Sequence, residues 1–215
     1  MKYLLVTLFS FITILVFSQI PNGYYDNAEG KYGQELRVAL YNIIKTNVTS
    51  ISYSELWDAY PRTDKKSNGK VWDIYSDIPN GTPPYEFTFI TDQCGNYSGE
   101  GDCYNREHTV PASWFNDASP MYSDLFHVLP TDGYVNNRRS NYPYGKVGNA
   151  SWTSLNGSKL GSSATSGYSG TVFEPIDSFK GDIARIYFYM STRYMDKIAN
   201  WDGASFQNSD LSSWA

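Results

Sequence analysis

The chain has 215 residues, with 17 Lys or Arg against 22 Asp or Glu, a formal net charge of −5 at pH 7. That length suits one domain with a sizeable core. The acidic balance excludes a protein that holds polyanions by bulk positive charge, and leaves open an enzyme needing only a local cationic path.

Met1 and Lys2 precede an uncharged apolar run from Tyr3 to Phe17. The run is short for a bilayer span and carries one basic residue in front, as a secretory leader does. Val16 and Ser18 fit the positions before a cut near Ser18–Gln19. Residues 1–18 are therefore expected to be a signal peptide and residues 19–215 the mature domain, secreted to an extracellular or periplasmic space. An uncleaved anchor helix is the alternative. Without Lys2 the mature part has 16 basic and 22 acidic residues, a net charge of −6.

Tyr32, Leu36, Ala39, Leu40, Ile43 and Ile44 recur at helical spacing, which predicts an amphipathic helix over Gly30 to Thr46. A second, short helix is expected over Ser54 to Tyr60, stopped by Pro61. Val71 to Tyr75 and Glu86 to Ile90 read as short strands around a loop with Pro79, Gly81, Pro83 and Pro84.

Cys94 and Cys103 follow, with turn-forming Gly95, Asn96, Ser98, Gly99 and Gly101 between them. In an oxidising compartment such a pair reads as a disulfide, which would stabilise by about 2.5–3 kcal/mol in the chain-entropy account. The rival reading is a zinc site using Cys94, Cys103, His108 and His127, but no C-x-x-C or H-x-x-x-H spacing supports it.

An extended run over Cys103 to Val110 ends at Pro111. Met121 to Leu129 is apolar and mixed, and Thr131 to Arg139 reads as a helix with Thr131 as its cap and Asp132 in its first turn. The Ser- and Gly-rich stretch 149–170 reads as a long surface loop. Gly181 to Tyr194 is a helix with Ile183, Ile186, Tyr187, Met190 and Tyr194 on one side. Strands and helices interleave irregularly, so the expected class is α+β, a mainly helical single domain.

The chemistry gathers in Cys103-Tyr-Asn-Arg-Glu-His-Thr-Val-Pro111 and in the stretch from Ser123 to Asn141. Phosphodiester hydrolysis needs a base to take a proton from water, and imidazole titrates in the right range. It also needs a cation, for which a carboxylate and an amide carbonyl are suitable hard ligands. Glu107, His108 and Asn136 supply that minimal set. Neighbours on a regular strand point to opposite faces, so a joint Glu107–His108 site requires irregular backbone near Pro111.

Asn105-Arg-Glu-His-Thr-Val-Pro111, Asp124, Pro130, Asp132-Gly-Tyr-Val-Asn136, Arg139-Ser-Asn141 and Gly181-Asp-Ile-Ala-Arg-Ile-Tyr-Phe-Tyr-Met190 together resemble the endonuclease I family, in the family's order. The resemblance implies a His-Me finger nuclease with a ββα-metal core, a monomer that cuts DNA, RNA or both with little sequence preference. By it His108 is the general base, while Glu107 and Asn136 hold Mg²⁺, with Mn²⁺ or Ca²⁺ as alternatives.

Three departures stand out. Relatives commonly carry histidine where this chain has Phe126, with His127 beside it. The segment Phe115 to Met121 is short and lacks the arginine of some relatives, so Arg139 and Arg185 become the phosphate candidates, with Arg106 as a further one. The chain stops at Asp210-Leu-Ser-Ser-Trp-Ala215, where the family continues into another helical segment, which implies C-terminal truncation. The competing function is a secreted aromatic-rich binding module whose nuclease site is degenerate.

Overall fold

In the computed structural model, which describes residues 20–201, the first helix, α1 (Gly33–Ile44), forms where the apolar spacing places it. Its stripe is only half-buried, and Arg37 ties it to the last helix by donating to the Ser191 carbonyl at 2.8 Å. The expected leader at residues 1–18 and the chain end at 210–215 lie outside the described residues.

Before α2 (Leu56–Thr63), Ser52 and Glu55 exchange hydrogen bonds: Ser52 N–H donates to the Glu55 carboxylate at 2.6 Å, and Glu55 N–H to Ser52 Oγ at 3.3 Å. This reciprocal pattern starts a helix by satisfying donors that have no helical partner. Pro61 does not end α2, as the sequence suggested, but lies inside it. Pro61 is the sixth of the eight residues of α2 and its missing N–H removes one bond, while Asp64 N–H still reaches the Tyr60 carbonyl at 2.9 Å. Leu56 and Tyr60 are fully buried against Val128.

The two strands expected at 71–75 and 86–90 do not form. The segments meet through Val71 N–H to the Phe87 carbonyl at 3.0 Å. The chain then curls around Asp73, whose carboxylate accepts Tyr75 N–H at 2.8 Å and Asp132 N–H at 2.9 Å. A buried side-chain acceptor has displaced the ladder here.

Strand β1 (Tyr104–His108) pairs antiparallel with β2 (Val128–Asp132), in register from Tyr104 opposite Asp132 to His108 opposite Val128. Helix α3 (Gly133–Arg139) follows β2 without a loop. Its cap is Asp132, which accepts Val135 N–H at 2.8 Å, and not Thr131, which is buried in β2.

The stretch read as a long loop is instead the three-stranded antiparallel sheet of β3 (Val147–Thr153), β4 (Lys159–Ser163) and β5 (Thr171–Glu174), in that order. Gly161 is required there, since a Cβ would collide with the Asn149 carbonyl of the neighbouring strand. Helix α4 (Asp177–Arg193) begins one turn before the expected Gly181. It buries Phe179, Ile183, Tyr187 and Met190 in a core shared with Ile74, Val110, Phe115, Met121 and Phe173. The class is α+β, and no helix among the described residues is long and apolar enough to cross a membrane.

Candidate active site

The two faces of β1 differ in chemistry. Tyr104, Arg106 and His108 face the aromatic side chains of Tyr53 and Trp57, while Asn105 and Glu107 face α3. The irregular backbone expected to turn Glu107 and His108 the same way is absent, because β2 pairs with every residue of β1.

On the α3 side, Glu107 is 2% exposed and Arg139 1% exposed, and they form an ion pair at 2.8 Å. Glu107 Oε1 also accepts from Tyr75 Oη at 2.6 Å and Tyr144 Oη at 3.4 Å. Burial pushes the Glu107 carboxyl upward and the guanidinium pulls it back, leaving a net upward shift. Arg139 spends its remaining donors on the carbonyls of His108 at 2.8 Å, Thr109 at 2.6 Å and Tyr142 at 3.1 Å. The expectation that Arg139 clamps phosphate therefore meets a physical obstacle: the guanidinium is buried and wholly engaged by protein.

Asn136 lies between α3 and β1, donating through Nδ2 to Asn105 Oδ1 at 2.8 Å and the Arg106 carbonyl at 3.4 Å. All three donors to Glu107 converge on Oε1, so Oε2 has no donor among the described residues. The Asn136 side chain only donates, so Glu107 Oε2 and the Asn136 side-chain carbonyl oxygen are two hard oxygens without a donor among the described residues, in donor chemistry that fits Mg²⁺. No group of three or more His, Cys, Asp or Glu residues among the described residues could hold a metal. A disulfide between Cys94 and Cys103 takes both sulfurs that the rival zinc site needed. It also braces this region, since the Cys103 carbonyl accepts Gly133 N–H at 3.0 Å at the start of α3.

On the other face, the His108 ring stacks on Tyr122 at 4.9 Å between centroids and on Tyr53 at 5.6 Å. Nε2 lies 3.0 Å from the Tyr122 carbonyl, and because a carbonyl only accepts, Nε2 carries the proton. The neutral ring then has its lone pair at Nδ1. Burial lowers the His108 pKa, against the upward pull of the Tyr122 carbonyl, so the neutral form is favoured.

His127 sits 5.6 Å from His108 between ring centroids, with Nε2 donating to the Met121 carbonyl at 2.6 Å. Burial pushes its pKa down to about 3, and Nδ1 has no hydrogen-bond partner among the described residues. Phe126 points away and is 68% exposed beside Tyr189, so the departure at that position does not touch His108.

The remaining arginines separate. Arg106 is half-buried, its guanidinium carbon 3.6 Å from the Tyr53 ring centroid and 4.5 Å from that of Trp57, with Nη1 donating to the Tyr53 carbonyl at 2.8 Å. Arg185 is exposed on α4 and paired with Asp182 at 2.6 Å, so it joins none of the residues around Glu107 or His108. Sequence reasoning missed Tyr75, Tyr144, Tyr53 and Tyr122, because isolated tyrosines in aperiodic segments carry no local signal of what they touch.

No solved structure matches the chain. An extracellular ribonuclease of Bacillus subtilis (strain 168) is 32% identical over 173 residues, 80% of this chain and 53% of its own length. One from Bacillus amyloliquefaciens matches to the same extent, 32% over 173 residues. Endonuclease-1 of Buchnera aphidicola subsp. Baizongia pistaciae is 36% identical over 77 residues, 36% of this chain and 30% of its own length. The chain thus spans about half the length of the extracellular ribonucleases. The family model for endonuclease I matches residues 32–215, which takes in β1, β2, α3 and α4, and the chain belongs to the endonuclease I family.

Proposed function

We propose that the protein is a secreted, metal-dependent endonuclease of the His-Me finger type, hydrolysing phosphodiester bonds of DNA, RNA or both with little sequence preference. The observation that carries this reading is the β1–β2–α3 unit: a helix leaving an antiparallel pair directly and folding back to set Asn136 against Asn105, beside Glu107 and His108. The relatives named extracellular ribonuclease support both secretion and RNA as a substrate.

In this reading His108 Nδ1 takes the proton from the attacking water. The Tyr122 carbonyl fixes the tautomer through Nε2, and Tyr53 and Tyr122 hold the ring plane. Glu107 Oε2 and Asn136 Oδ1 would hold one Mg²⁺ that keeps its other waters, with Mn²⁺ and Ca²⁺ as alternatives. When bound, the ion supplies charge stabilisation to the phosphate and its leaving oxygen. Arg139 holds Glu107 in place rather than contacting substrate.

The Arg139–Glu107 pair also favours a second reading, a binding module whose acidic ligand is already neutralised. Incubating the purified protein with plasmid DNA and with RNA, with Mg²⁺ and with EDTA, separates the two. The nuclease reading expects cleavage with Mg²⁺ and intact substrate with EDTA. Intact nucleic acid in every tube would assign the fold to binding, and cleavage that survives EDTA would remove the metal.

A further inference from the structure

Tyr97, Tyr134 and Trp152 come from the disulfide loop, α3 and β3, and meet at the surface. The Tyr97 and Tyr134 ring centroids are 6.5 Å apart, edge to face, and those of Tyr134 and Trp152 are 6.4 Å apart. Tyr97 can lie over the start of α3 because residue 133 is glycine, where a Cβ would come within 2.7 Å of the tyrosine ring. Arg138, one turn after Tyr134, sets its guanidinium carbon 5.0 Å from the Tyr134 centroid and 5.8 Å from that of Trp152.

Two properties distinguish this cluster from ordinary surface packing. Tyr97 and Tyr134 are half-exposed and belong to none of the hydrophobic clusters, although Trp152 rests against the main one. Arg138 is exposed, donates to the Tyr134 hydroxyl at 2.5 Å and has no carboxylate partner among the described residues, whereas Arg139 and Arg185 are both ion-paired. Half-exposed aromatic rings beside a guanidinium that has no counter-ion among the described residues match one ligand chemistry, a planar base joined to a phosphate. We infer that Tyr97, Tyr134, Trp152 and Arg138 form a stacking site for an unpaired polynucleotide strand, DNA or RNA. A duplex keeps its base faces against one another and offers such a platform only its backbone, so the site selects unpaired strands. The inference extends the nuclease reading: Asn136 is on the same helix, about one helix diameter away, roughly 10 Å.

The test is equilibrium binding of fluorescent oligothymidylate and oligouridylate, each about 12 nucleotides long. A duplex of the same length serves as the comparison, and EDTA prevents cleavage. Wild type should bind the single strands more tightly than the duplex. Tyr134→Leu should weaken single-strand binding about 5- to 150-fold, the range one stacked base supplies, with little change for the duplex. Tyr134→Phe, which keeps the ring, should restore it. Arg138→Gln, at an exposed position that folding does not need, should lower the single-strand salt slope by about 0.7. Equal losses on duplex and single strand, unchanged binding in both Tyr134→Leu and Arg138→Gln, or no single-strand binding by wild type would each overturn the inference. Stacking-dependent binding by a protein that cuts nothing would keep this inference and sink the nuclease reading; cleavage without it would do the reverse.

Discussion

The two faces of β1 put adjacent residues under opposite physical demands. Glu107 is sealed beneath α3, where a buried carboxylate survives only because Arg139, Tyr75 and Tyr144 all converge on one of its oxygens. His108, next in sequence, lies in an aromatic cradle that fixes one ring nitrogen and leaves the other as a lone pair. One face satisfies a charge and the other keeps a base neutral. A strand that alternates its side chains can hold an ion-paired carboxylate and a neutral imidazole one residue apart without either titrating the other away.

The difference can be broken most severely at the imidazole. His108→Ala should lower the cleavage rate about 10²- to 10⁴-fold, the contribution expected of a general base. In wild type the rate should rise with pH as the ring loses its proton. Its inflection should fall below the ordinary imidazole value, as the lowered pKa requires, and the rate should be flat above it. A rate that continues to climb through pH 8 would assign proton transfer to another group.

The α3 face should respond in stability. Arg139→Met strands the Glu107 carboxylate without its cation, and the expected loss is about 3–5 kcal/mol in urea unfolding. Glu107→Gln combined with Arg139→Met should recover part of that loss, since no buried charge then remains. If the two changes simply add, the pair is not coupled as the geometry indicates. Tyr75→Phe should cost less, about 1.5–3 kcal/mol, the range for a hydrogen bond to a charged group, and should leave the His108 pH profile unmoved. A shifted profile would mean that the two faces communicate.

Much of the scaffold is legible in the sequence, and for stated reasons. The apolar periodicity of α4 reports its burial directly, that of α1 reports the helix but a stripe only half-buried, and a close cysteine pair in a turn-rich segment reports the disulfide. The β3–β4–β5 sheet was illegible because its strands are rich in Ser and Gly, which signal turns, and because its pairing is long-range. The Asp73 hub was equally hidden: a carboxylate that ties residue 75 to residue 132 leaves no periodic trace. At the site, Glu107, His108 and Asn136 are the candidates that chemistry and resemblance name, and β1 and α3 bring Glu107 and Asn136 to one side while His108 faces the other. The role of Arg139 could not be read, because burial alone distinguishes it from its neighbour Arg138.

The central claim is a division of labour across β1, cation ligands on the α3 side and the base on the other. It is tested most directly by titrating Mg²⁺ against cleavage rate for wild type, Asn136→Ala and His108→Ala. Asn136→Ala should raise the Mg²⁺ concentration needed for half-maximal rate, with activity recovering at high metal. His108→Ala should keep the wild-type midpoint at a greatly reduced plateau. A shifted midpoint in His108→Ala, or an unshifted one in Asn136→Ala, would contradict the assignment of base and metal to opposite faces of the strand.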